Sequence, residues 1–267
     1  MNSPYGNRIL ITGASSGIGL AAAEAFAKEG YTVWAASRRC EERREGNCRY
    51  IRMDVTSEDS VRRAYDKIAE AGGVAILLHC AGMGIAGAAE DTPEEAVRRQ
   101  FEVNYYGVLR VNRIFLPDLR ARGGGLVLVM SSVAGRVPLP YQSHYSATKY
   151  ALDTYVESLR MEAGRFGIRA ALIEPGDTKT GFTAAREMAL PEGSPYRAAC
   201  EGAVARMSKD EQNGGSPLAV AKICLKLAQK KHPPVRVTVG LMYRIVIFLR
   251  RIWPAGAFEK VLEGMYR

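Results

Sequence analysis

Residues 8–19 read R-I-L-I-T-G-A-S-S-G-I-G, and this stretch decides the fold of the chain. A short apolar run ends at Thr12, after which Gly13, Gly17 and Gly19 lead into an alanine-rich segment. A glycine at the end of a first strand permits a tight turn, and later glycines let backbone N–H groups and a helix N-terminus approach a pyrophosphate. Between a strand and a helix, the spacing G-x-x-x-G-x-G therefore predicts a dinucleotide site. The alternative is a glycine-rich turn that binds nothing.

Short apolar runs alternate with helical stretches along the rest of the chain, which favours a parallel sheet covered on both faces. The predicted helices include one from Ile18 to Glu29 and one from Thr92 to about Arg120. We expect an α/β fold, a doubly wound Rossmann-type parallel sheet with helices on both faces and a C-terminal helical extension. Its seven strands are predicted at residues 8–12, 31–36, 48–53, 74–79, 125–130, 168–174 and 235–240.

The length and composition are those of one globular domain, so residues 1–267 are expected to form a single domain. Of the 267 residues, 47% are hydrophobic and 24% are charged, which supplies enough material for a full core. The five cysteines are scattered without a C-x-x-C pair, so neither a disulfide framework nor a metal site is predicted. Because no long hydrophobic segment precedes the first strand, a cytoplasmic location is expected.

The positive charge of the chain is concentrated at its C-terminal end. Residues 222–267 contain ten Lys or Arg against Glu259 and Glu263, whereas the total net charge is +9, so the rest is close to neutral. Such a basic tail attracts an anionic membrane, nucleic acid or an acidic partner, unless it is only a solvated basic face. No nucleic-acid partner is predicted, and peripheral membrane contact through residues 241–267 is left open.

The end of the second predicted strand bears on the choice of dinucleotide. An acidic residue there would hydrogen-bond the adenosine ribose of NAD, but this chain has Ser37-Arg38-Arg39. Guanidinium groups suit a 2′-phosphate by charge and by geometry, so NADP(H) is the predicted cofactor. The alternative is that both arginines begin a loop of mixed charge. Asp54, after the third strand, is predicted either to accept a hydrogen bond from the adenine amino group or to cap the next helix.

Ser132, Tyr145 and Lys149 form the candidate catalytic group. A phenol has a pKa of about 10, so at neutral pH it is a good proton donor and a poor base. An amine one helical turn away lies on the same face, so Lys149 is predicted to lower the pKa of Tyr145 by Coulomb attraction. Ser132 follows the fifth strand and could donate to a substrate oxygen that gains charge. Taken singly, these residues could instead be an ordinary helix face and a strand cap.

Together with T-G-A-S-S-G-I-G and Ser132, the motif Y-S-A-T-K at residues 145–149 resembles the short-chain dehydrogenase/reductase family. The resemblance covers nearly the whole chain, because further landmarks follow in order. These are D-V at 54–55, A-G at 81–82, Asn104 in V-N-Y-Y-G, and P-G-D-T-K-T from Pro175. One departure is that the family's N-N-A-G is here His79-Cys80-Ala81-Gly82, so amide side chains that normally brace the strands are replaced.

The resemblance implies roles for particular residues. Lys149 would hydrogen-bond the nicotinamide ribose, and Asn104 would hold a water in a proton relay to that lysine. Ser132 fits the family spacing to Tyr145 better than Ser131 does, and His144 is expected to be structural. A homodimer or homotetramer through the helices of Asn104 and Tyr145 is also implied. The predicted catalytic residues are Ser132, Tyr145, Lys149 and Asn104. The predicted cofactor-binding residues are Gly13, Ser15, Ser16, Gly17, Ile18, Gly19, Ser37, Arg38, Arg39, Asp54, Val55, Cys80, Ala81, Gly82, Tyr145, Lys149, Pro175, Gly176, Thr178 and Thr180.

Two segments bear on the substrate. Residues 176–217 are the least regular part of the pattern and form the candidate lid, because long excursions at strand C-termini bind ligands in open α/β sheets. Residues 241–267 extend past the seventh strand, with an apolar run interrupted by arginines that is too short and too charged to span a bilayer. This extension is predicted to close the cleft or dock on the core or a second subunit; the alternative is an interfacial amphipathic helix. Candidate pocket residues in the lid are Phe182, Met188, Leu190 and Tyr196, which could equally be packing residues.

The function hypothesis is an NADP(H)-dependent oxidoreductase that transfers hydride between nicotinamide and a hydrophobic secondary alcohol or ketone. The extension loosely resembles the family branch of 17β-hydroxysteroid and retinol dehydrogenases, which implies a hydroxysteroid, a retinoid or an acyl-lipid carbonyl as substrate. The alternative is a non-catalytic NADP(H)-binding protein that engages a membrane or partner through its tail. The complete set Ser132, Tyr145, Lys149 and Asn104 favours the enzyme.

Overall fold

An eight-stranded sheet forms the centre of the structure, a computed structural model that describes residues 3–266. Seven of its strands run parallel and one edge strand runs antiparallel. The strands are β1 (Arg8–Thr12), β2 (Thr32–Ser37), β3 (Arg43–Glu45), β4 (Cys48–Arg52), β5 (Ile76–His79), β6 (Ile85–Ala86), β7 (Gly125–Met130), β8 (Ile168–Pro175), β9 (Glu187–Met188) and β10 (Arg236–Val239). Their order across the sheet is β10-β8-β7-β5-β1-β2-β4-β3, and β6 pairs separately with β9.

The seven predicted strands are all confirmed, and the eighth strand, β3, is an addition to the prediction. It pairs antiparallel with β4 because Gly46, with a φ of +56°, reverses the chain between them. The sequence R-R-E of β3 is charged and fully exposed, so it lacks the apolar alternation by which strands are recognised. This strand exists because of its pairing with β4 and not because of its own pattern.

Helices cover both faces of the sheet, as the doubly wound prediction requires. The helices are α1 (Gly17–Lys28), α2 (Glu58–Glu70), α3 (Glu94–Phe101), α4 (Gly107–Ala121), α5 (Ser143–Ala163), α6 (Arg197–Gln212), α7 (Pro217–Ala228), α8 (Leu241–Ile252) and α9 (Ala255–Tyr266). Alternate residues of a strand point to opposite faces, so Leu10 packs beneath α2, α4 and α5, while Ile9 and Ile11 pack beneath α1 and α7.

The single helix predicted up to about Arg120 is interrupted by one turn of π-helix. This turn, Glu102–Tyr106, separates α3 from α4 and contains the buried Asn104. A π-turn inserts an extra residue into the helical repeat, often at a functional position. Here it lies where the sequence places a catalytic amide.

The candidate lid, residues 176–217, is more regular than predicted. Its first part is tied to the loop after β5, because the backbone N–H of Glu187 donates to Gly84 O at 3.0 Å and that of Ala189 donates to Ala86 O at 2.8 Å. Its second part is the helix α6. Only Cys200, Ala203 and Met207 of this helix are buried, so its sequence carries little apolar periodicity and α6 was not predicted.

The C-terminal extension folds onto the rest of the protein as two helices, α8 and α9. Tyr243 of α8 donates its hydroxyl to Asp177 Oδ2 and accepts from the Asp177 backbone N–H at 3.0 Å. On α9, the buried Phe258 and Leu262 pack with Val137. The predicted helical extension is thereby confirmed, and it docks on the loops that follow β7 and β8.

Gly13 provides a test of the turn that follows β1. Its φ is +67°, and a Cβ on it would lie 2.6 Å from the backbone N of Ala81. Gly30 also has a positive φ, +86°, but a Cβ there would meet nothing within 4 Å. We expect Gly30→Ala to cost about 1 kcal/mol of unfolding free energy and Gly13→Ala at least about 2 kcal/mol more. Urea unfolding of both variants measures this, and equal costs would contradict the close approach.

Candidate active site

The ends of β1, β5, β7 and β8 meet at the carboxyl edge of the sheet, where open α/β folds bind their ligands. Thr12, the last residue of β1, joins two of these ends because its Oγ1 accepts from the backbone N–H groups of Cys80 and Ala81, both at 3.2 Å. Gly82 follows directly, and a Cβ on it would lie 3.5 Å from Asn104 Oδ1 and 3.9 Å from Lys149 Nζ. The segment 80–82 therefore lies between the glycine-rich turn and the candidate catalytic residues.

His79 stands where the family motif has its first asparagine, and its imidazole makes a buried polar contact of its own. Its Nε2 lies 2.9 Å from Asn112 Oδ1, and Asn112 Nδ2 donates to the Tyr155 hydroxyl at 3.1 Å. Burial lowers the pKa of His79 to about 4, so the imidazole is neutral at physiological pH. A neutral imidazole thus takes over the bracing of β5 against α4 and α5.

The glycine-rich turn fits a bound pyrophosphate. A Cβ on Gly19 would lie 2.3 Å from Gly13 O, so the backbone of the turn packs on itself without room for side chains. Ser15 and Ser16 are exposed, and the Ser16 side chain at the N-cap of α1 does not cap the helix. The N-terminus of α1 thus has no side-chain cap, and uncapped helix N-termini are common phosphate-binding positions.

Arg38 and Asp54 line a basic cavity of about 420 Å³ at the ends of β2 and β4. Asp54 Oδ1 accepts from the backbone N–H of Thr56 at 2.9 Å and from its hydroxyl at 2.7 Å. The cap of α2 is Ser57, so the alternative in which Asp54 caps this helix is wrong. Arg39 is exposed and is not among the lining residues. The cavity is lined by Arg38, Glu42, Arg52, Asp54, Ser57, Ser60, Arg63, Ala64 and Lys67.

Several other predicted cofactor residues lie along the same edge. Ser37 is buried at the end of β2, and Val55 is buried against Gly107 at the start of α4. Ile18 is half-buried on α1. The remaining four lie at the end of β8 or after it. Pro175 pairs with Val239, and Gly176 lies against the ring of Tyr243. Thr178 donates its hydroxyl to Gly176 O at 3.0 Å, and Thr180 lies beside Gly17.

Tyr145 and Ser132 meet at the ends of α5 and β7. The Ser132 hydroxyl is close enough to the phenol to favour the phenolate, and Ser132 Oγ accepts from the Ala134 backbone N–H at 3.1 Å. Burial raises the pKa of Tyr145 to about 12, and the nearby Ser132 hydroxyl only partly offsets this. The predicted net acidification of Tyr145 by Lys149 is therefore wrong in this structure. Spacing along a helix places the amine but does not reveal how strongly the phenol is desolvated.

Lys149 lies on the same face of α5 as Tyr145, with its Nζ 5.6 Å from the centre of the phenol ring. The ammonium donates to Met130 O at 3.0 Å, which directs it toward the end of β7. Burial lowers its pKa to about 8, against the opposing influence of the Asp153 carboxylate and of Cys80. Lys149 is thus a cation at neutral pH that loses its proton in mildly alkaline solution.

Asn104 is buried in the π-turn and is held at both ends of its amide. Its Oδ1 accepts from the Met83 N–H at 2.8 Å, and its Nδ2 donates to Met83 O at 3.0 Å and to Thr148 Oγ1 at 3.2 Å. Thr148 in turn donates to Tyr145 O at 2.7 Å. The amide therefore links the loop after β5 to the helix that carries Tyr145 and Lys149.

Asp153 is a buried carboxylate that the site prediction missed. It lies one turn beyond Lys149 on α5, its Oδ1 accepts from Ser131 Oγ at 2.7 Å, and its Oδ2 accepts from Arg236 Nη1 at 2.9 Å. Arg236 also donates to the fully buried Glu174 at 2.8 Å. Spacing could have revealed Asp153, because Tyr145, Lys149 and Asp153 recur every four residues on α5.

We expect Asp153→Asn to move the pH dependence of turnover. The carboxylate favours the charged form of Lys149, so its loss lowers the pKa of that amine. If turnover needs the cation, activity is present below this pKa and is lost as pH rises through it. The descending limb should therefore move to lower pH by roughly one unit. A profile of kcat against pH measures this, and its midpoint does not depend on how much enzyme is correctly folded.

Glu157→Gln is the matched control for this prediction. Glu157 continues the same row on α5 and also pairs with Arg236, but it lies a further turn from Lys149 and its side chain is 46% exposed. We expect its descending limb to stay in place. An unmoved limb in Asp153→Asn, or an equal movement in both variants, would contradict a specific effect of Asp153 on Lys149.

The lid contributes one aromatic ring and one buried ion pair near Tyr145. The ring of Phe182 lies 5.7 Å from that of Tyr145. Arg186 pairs with Glu211 of α6 in a largely buried contact. Of the other candidate pocket residues, Leu190 is half-buried, whereas Met188 and Tyr196 are exposed, and the Tyr196 hydroxyl donates to Glu90 at 2.8 Å. The structure thus brings only Phe182 of the four against the phenol.

The chain belongs to the short-chain dehydrogenase family, whose sequence profile matches residues 7–190. Its members are oxidoreductases that act on CH–OH or C=O groups with nicotinamide cofactors. The chain is 36% identical to a 3-ketodihydrosphingosine reductase of Bacteroides thetaiotaomicron over 262 residues, covering 97% of each chain.

Two solved structures extend the comparison. A short-chain dehydrogenase from Streptomyces avermitilis superposes with a TM-score of 0.83 at 30% identity, over 99% of each chain. A short-chain dehydrogenase/reductase from Burkholderia phymatum in complex with NAD has a TM-score of 0.81 at 25% identity, covering 94% of this chain and 95% of that one. Each alignment includes at least part of the C-terminal extension, because each covers more of this chain than the residues up to the end of β10.

Proposed function

We propose that the protein is an NADP(H)-dependent oxidoreductase that interconverts a hydrophobic ketone and its secondary alcohol. The observation that carries the proposal is the Tyr145 phenol, which lies beside the Ser132 hydroxyl and against the apolar ring of Phe182. A proton donor between a polar hydroxyl and an aromatic ring suits a carbonyl group carried on an apolar molecule. A protein that only binds NADP(H) would not need this arrangement.

The proposed roles follow from the protonation states. Because burial raises the pKa of Tyr145 to about 12, the phenol keeps its proton at neutral pH and donates it to the carbonyl oxygen during reduction. Ser132 donates a hydrogen bond to the same oxygen, and the Lys149 cation favours the phenolate that remains. Asn104 holds the loop after β5 against α5. NADPH, when bound at the glycine-rich turn, supplies hydride to the carbonyl carbon.

The preference for NADP(H) rests on this chain's own residues, since a structural neighbour holds NAD. Arg38, Arg52, Arg63 and Lys67 line the cavity at the end of β2, against the acidic residues Glu42 and Asp54. An excess of cations there complements a 2′-phosphate, which carries up to two negative charges. The Lys67 ammonium bonds Glu42, so the arginines are the groups proposed to meet the phosphate.

The proposed substrate class is supported by Phe182 and by the name of the Bacteroides relative, a reductase of a long-chain amino ketone. The test is the loss of NADPH absorbance with a panel comprising 3-ketodihydrosphingosine, other long-chain ketones, steroid ketones and retinal. We expect turnover with at least one bulky apolar carbonyl and much lower kcat/KM with its short-chain analogue. A lack of turnover with every member, despite tight NADPH binding, would favour the non-catalytic alternative.

A homodimer or homotetramer through α4 and α5 is also proposed from the family resemblance. Tyr106, directly before α4, and Tyr150 of α5 are exposed aromatic residues. Large aromatic residues are enriched at protein interfaces, which supports the assignment. Sedimentation of the full chain measures the oligomeric state, and a monomer at micromolar concentration would contradict it.

A further inference from the structure

The helix α8 presents a row of large apolar side chains to solvent. No residue of this helix is buried, and six apolar residues within 241–253 are between 41% and 73% exposed. Contiguous exposed apolar surface in a folded protein marks a site of interaction with another molecule. The six are Leu241, Met242, Ile245, Phe248, Ile252 and Trp253.

The exposed residues occupy one side of α8, and we call this side the apolar face. Successive residues of a helix are about 100° apart, so positions 241, 245, 248 and 252 form a single row along it. The opposite side holds the helix to the protein, through the hydroxyl of Tyr243 on Asp177 and through Val246 and Ile247 beside Val137. Leu249, beside the row, also packs toward Val137, whereas positions 241, 245, 248 and 252 of the row itself stay exposed.

Charge next to the apolar face distinguishes between possible occupants. Arg244 and Arg251 are both exposed and lie along the same border of the face, seven residues apart. Residues 222–267 as a whole carry ten cationic side chains against two carboxylates. In an antiparallel two-fold contact between copies of this face, the same arginines would meet each other. An anionic surface would instead neutralise them.

We propose that the apolar face of α8 docks on an anionic lipid bilayer, with the helix lying parallel to the membrane in the interface. Interfacial helices of this kind insert apolar side chains below the headgroups and keep arginines at headgroup level. Trp253, at the end of α8, is of the residue type that concentrates at this depth. Anionic lipids add roughly 1 kcal/mol of attraction for each basic residue near the surface.

The geometry suits adsorption and not insertion across the membrane. Twelve residues of helix extend about 18 Å, whereas the hydrocarbon core of a bilayer is about 30 Å thick. None of the helices in the described part of the chain has the length and apolar character needed to cross a bilayer. The docked helix would lie beside the loop of Gly176 and Asp177, at the carboxyl end of β8. An apolar substrate could then pass from the lipid to the cleft, a step that rests on the proposed function, whereas the docking itself does not.

Flotation of the full chain with lipid vesicles tests the proposal. We expect the protein to float with vesicles that contain phosphatidylserine and to float far less with pure phosphatidylcholine or at high salt. Phe248→Asp should reduce the bound fraction by about tenfold or more, because it removes a deeply inserted ring and adds a repelled charge. Arg251→Glu should weaken binding to anionic vesicles while leaving the weak binding to neutral ones unchanged.

Leu218→Asp is the matched control, since it replaces an exposed apolar residue outside the extension. Leu218 is 45% exposed in the first turn of α7, where an acidic side chain is tolerated. This variant should float like the unaltered protein. Absence of flotation by the unaltered protein, or equal flotation by Phe248→Asp, would overturn the proposal. So would loss of a dimer in Phe248→Asp without any lipid binding, which would identify the face as a contact between two copies.

NADPH oxidation with a water-soluble ketone is measured on the same samples. Circular dichroism of each variant verifies that it is folded, and the turnover measurement, made with the most active ketone of the panel if no water-soluble one reacts, separates the two proposals from each other. A protein that turns over without floating would refute the docking alone, whereas a protein that floats without turnover on any ketone would refute only the proposed enzyme activity.

Discussion

Tyr145→Phe is expected to lower kcat by about three orders of magnitude while leaving the affinity for NADPH within about twofold. General acid catalysis contributes roughly this much, and phenylalanine keeps the ring but has no proton to donate. The ring contact with Phe182 should also survive, because it does not involve the hydroxyl. Single-turnover kinetics measures the chemical step, and fluorescence titration with NADPH measures binding.

Tyr150→Phe is the control for this substitution, on the same helix. The Tyr150 hydroxyl donates to Arg136 O at 2.6 Å on the protein surface. Its removal should change kcat by less than about threefold. Unchanged turnover in Tyr145→Phe would mean that another group supplies the proton, and a parallel loss of NADPH binding would mean that the hydroxyl acts on cofactor geometry.

Arg38→Ala is expected to raise the KM for NADPH by about tenfold to a hundredfold and to leave the KM for NADH nearly unchanged. A charge-assisted hydrogen bond to phosphate contributes about 1.5–3 kcal/mol, and only NADPH carries the 2′-phosphate. The selectivity between the two cofactors should therefore fall by the same factor. Initial rates with each cofactor at a saturating concentration of the same ketone give the ratio.

Arg39→Ala removes an equal charge from the next position and is the matched control. Arg39 is exposed and lies outside the set that lines the cavity, so its loss should change the KM for NADPH by less than about threefold. Equal effects of the two substitutions would indicate a diffuse attraction of the phosphate. Equal effects of Arg38→Ala on both cofactors would contradict the assignment of Arg38 to the 2′-phosphate.

The parallel sheet was predictable because each of its seven strands carries its own signal. Buried runs such as G-L-V-L-V-M, which is β7, are recognisable without any partner. The strand β3 and the two-residue strands β6 and β9 have no such run, since they are defined by what they pair with. The π-turn at Glu102–Tyr106 is likewise a local change of helical repeat that apolar spacing does not reveal.

The site residues that could be predicted are those whose spacing in the sequence determines their position in the fold. The i, i+4 relation brings Tyr145 and Lys149 to one face of α5, and glycines mark the turn after β1. Asp153, Glu174 and Arg186 were missed because charged residues are normally exposed, and a sequence does not show which of them find partners in the interior. The predicted lowering of the Tyr145 pKa was wrong for a related reason, since the burial of the phenol depends on the surrounding fold.

The contact of Phe258 and Leu262 with Val137 has a practical consequence for recombinant work. A shortened protein ending at Gly240 would leave Val137 uncovered a few residues from Ser132, and it would also remove the phenol that bonds Asp177. Loss of turnover after such a deletion would therefore not distinguish a role of the extension from damage to the loops that follow β7 and β8. Point substitutions on the outer side of the extension are therefore the sound way to dissect it, and an affinity tag belongs at the other end of the polypeptide.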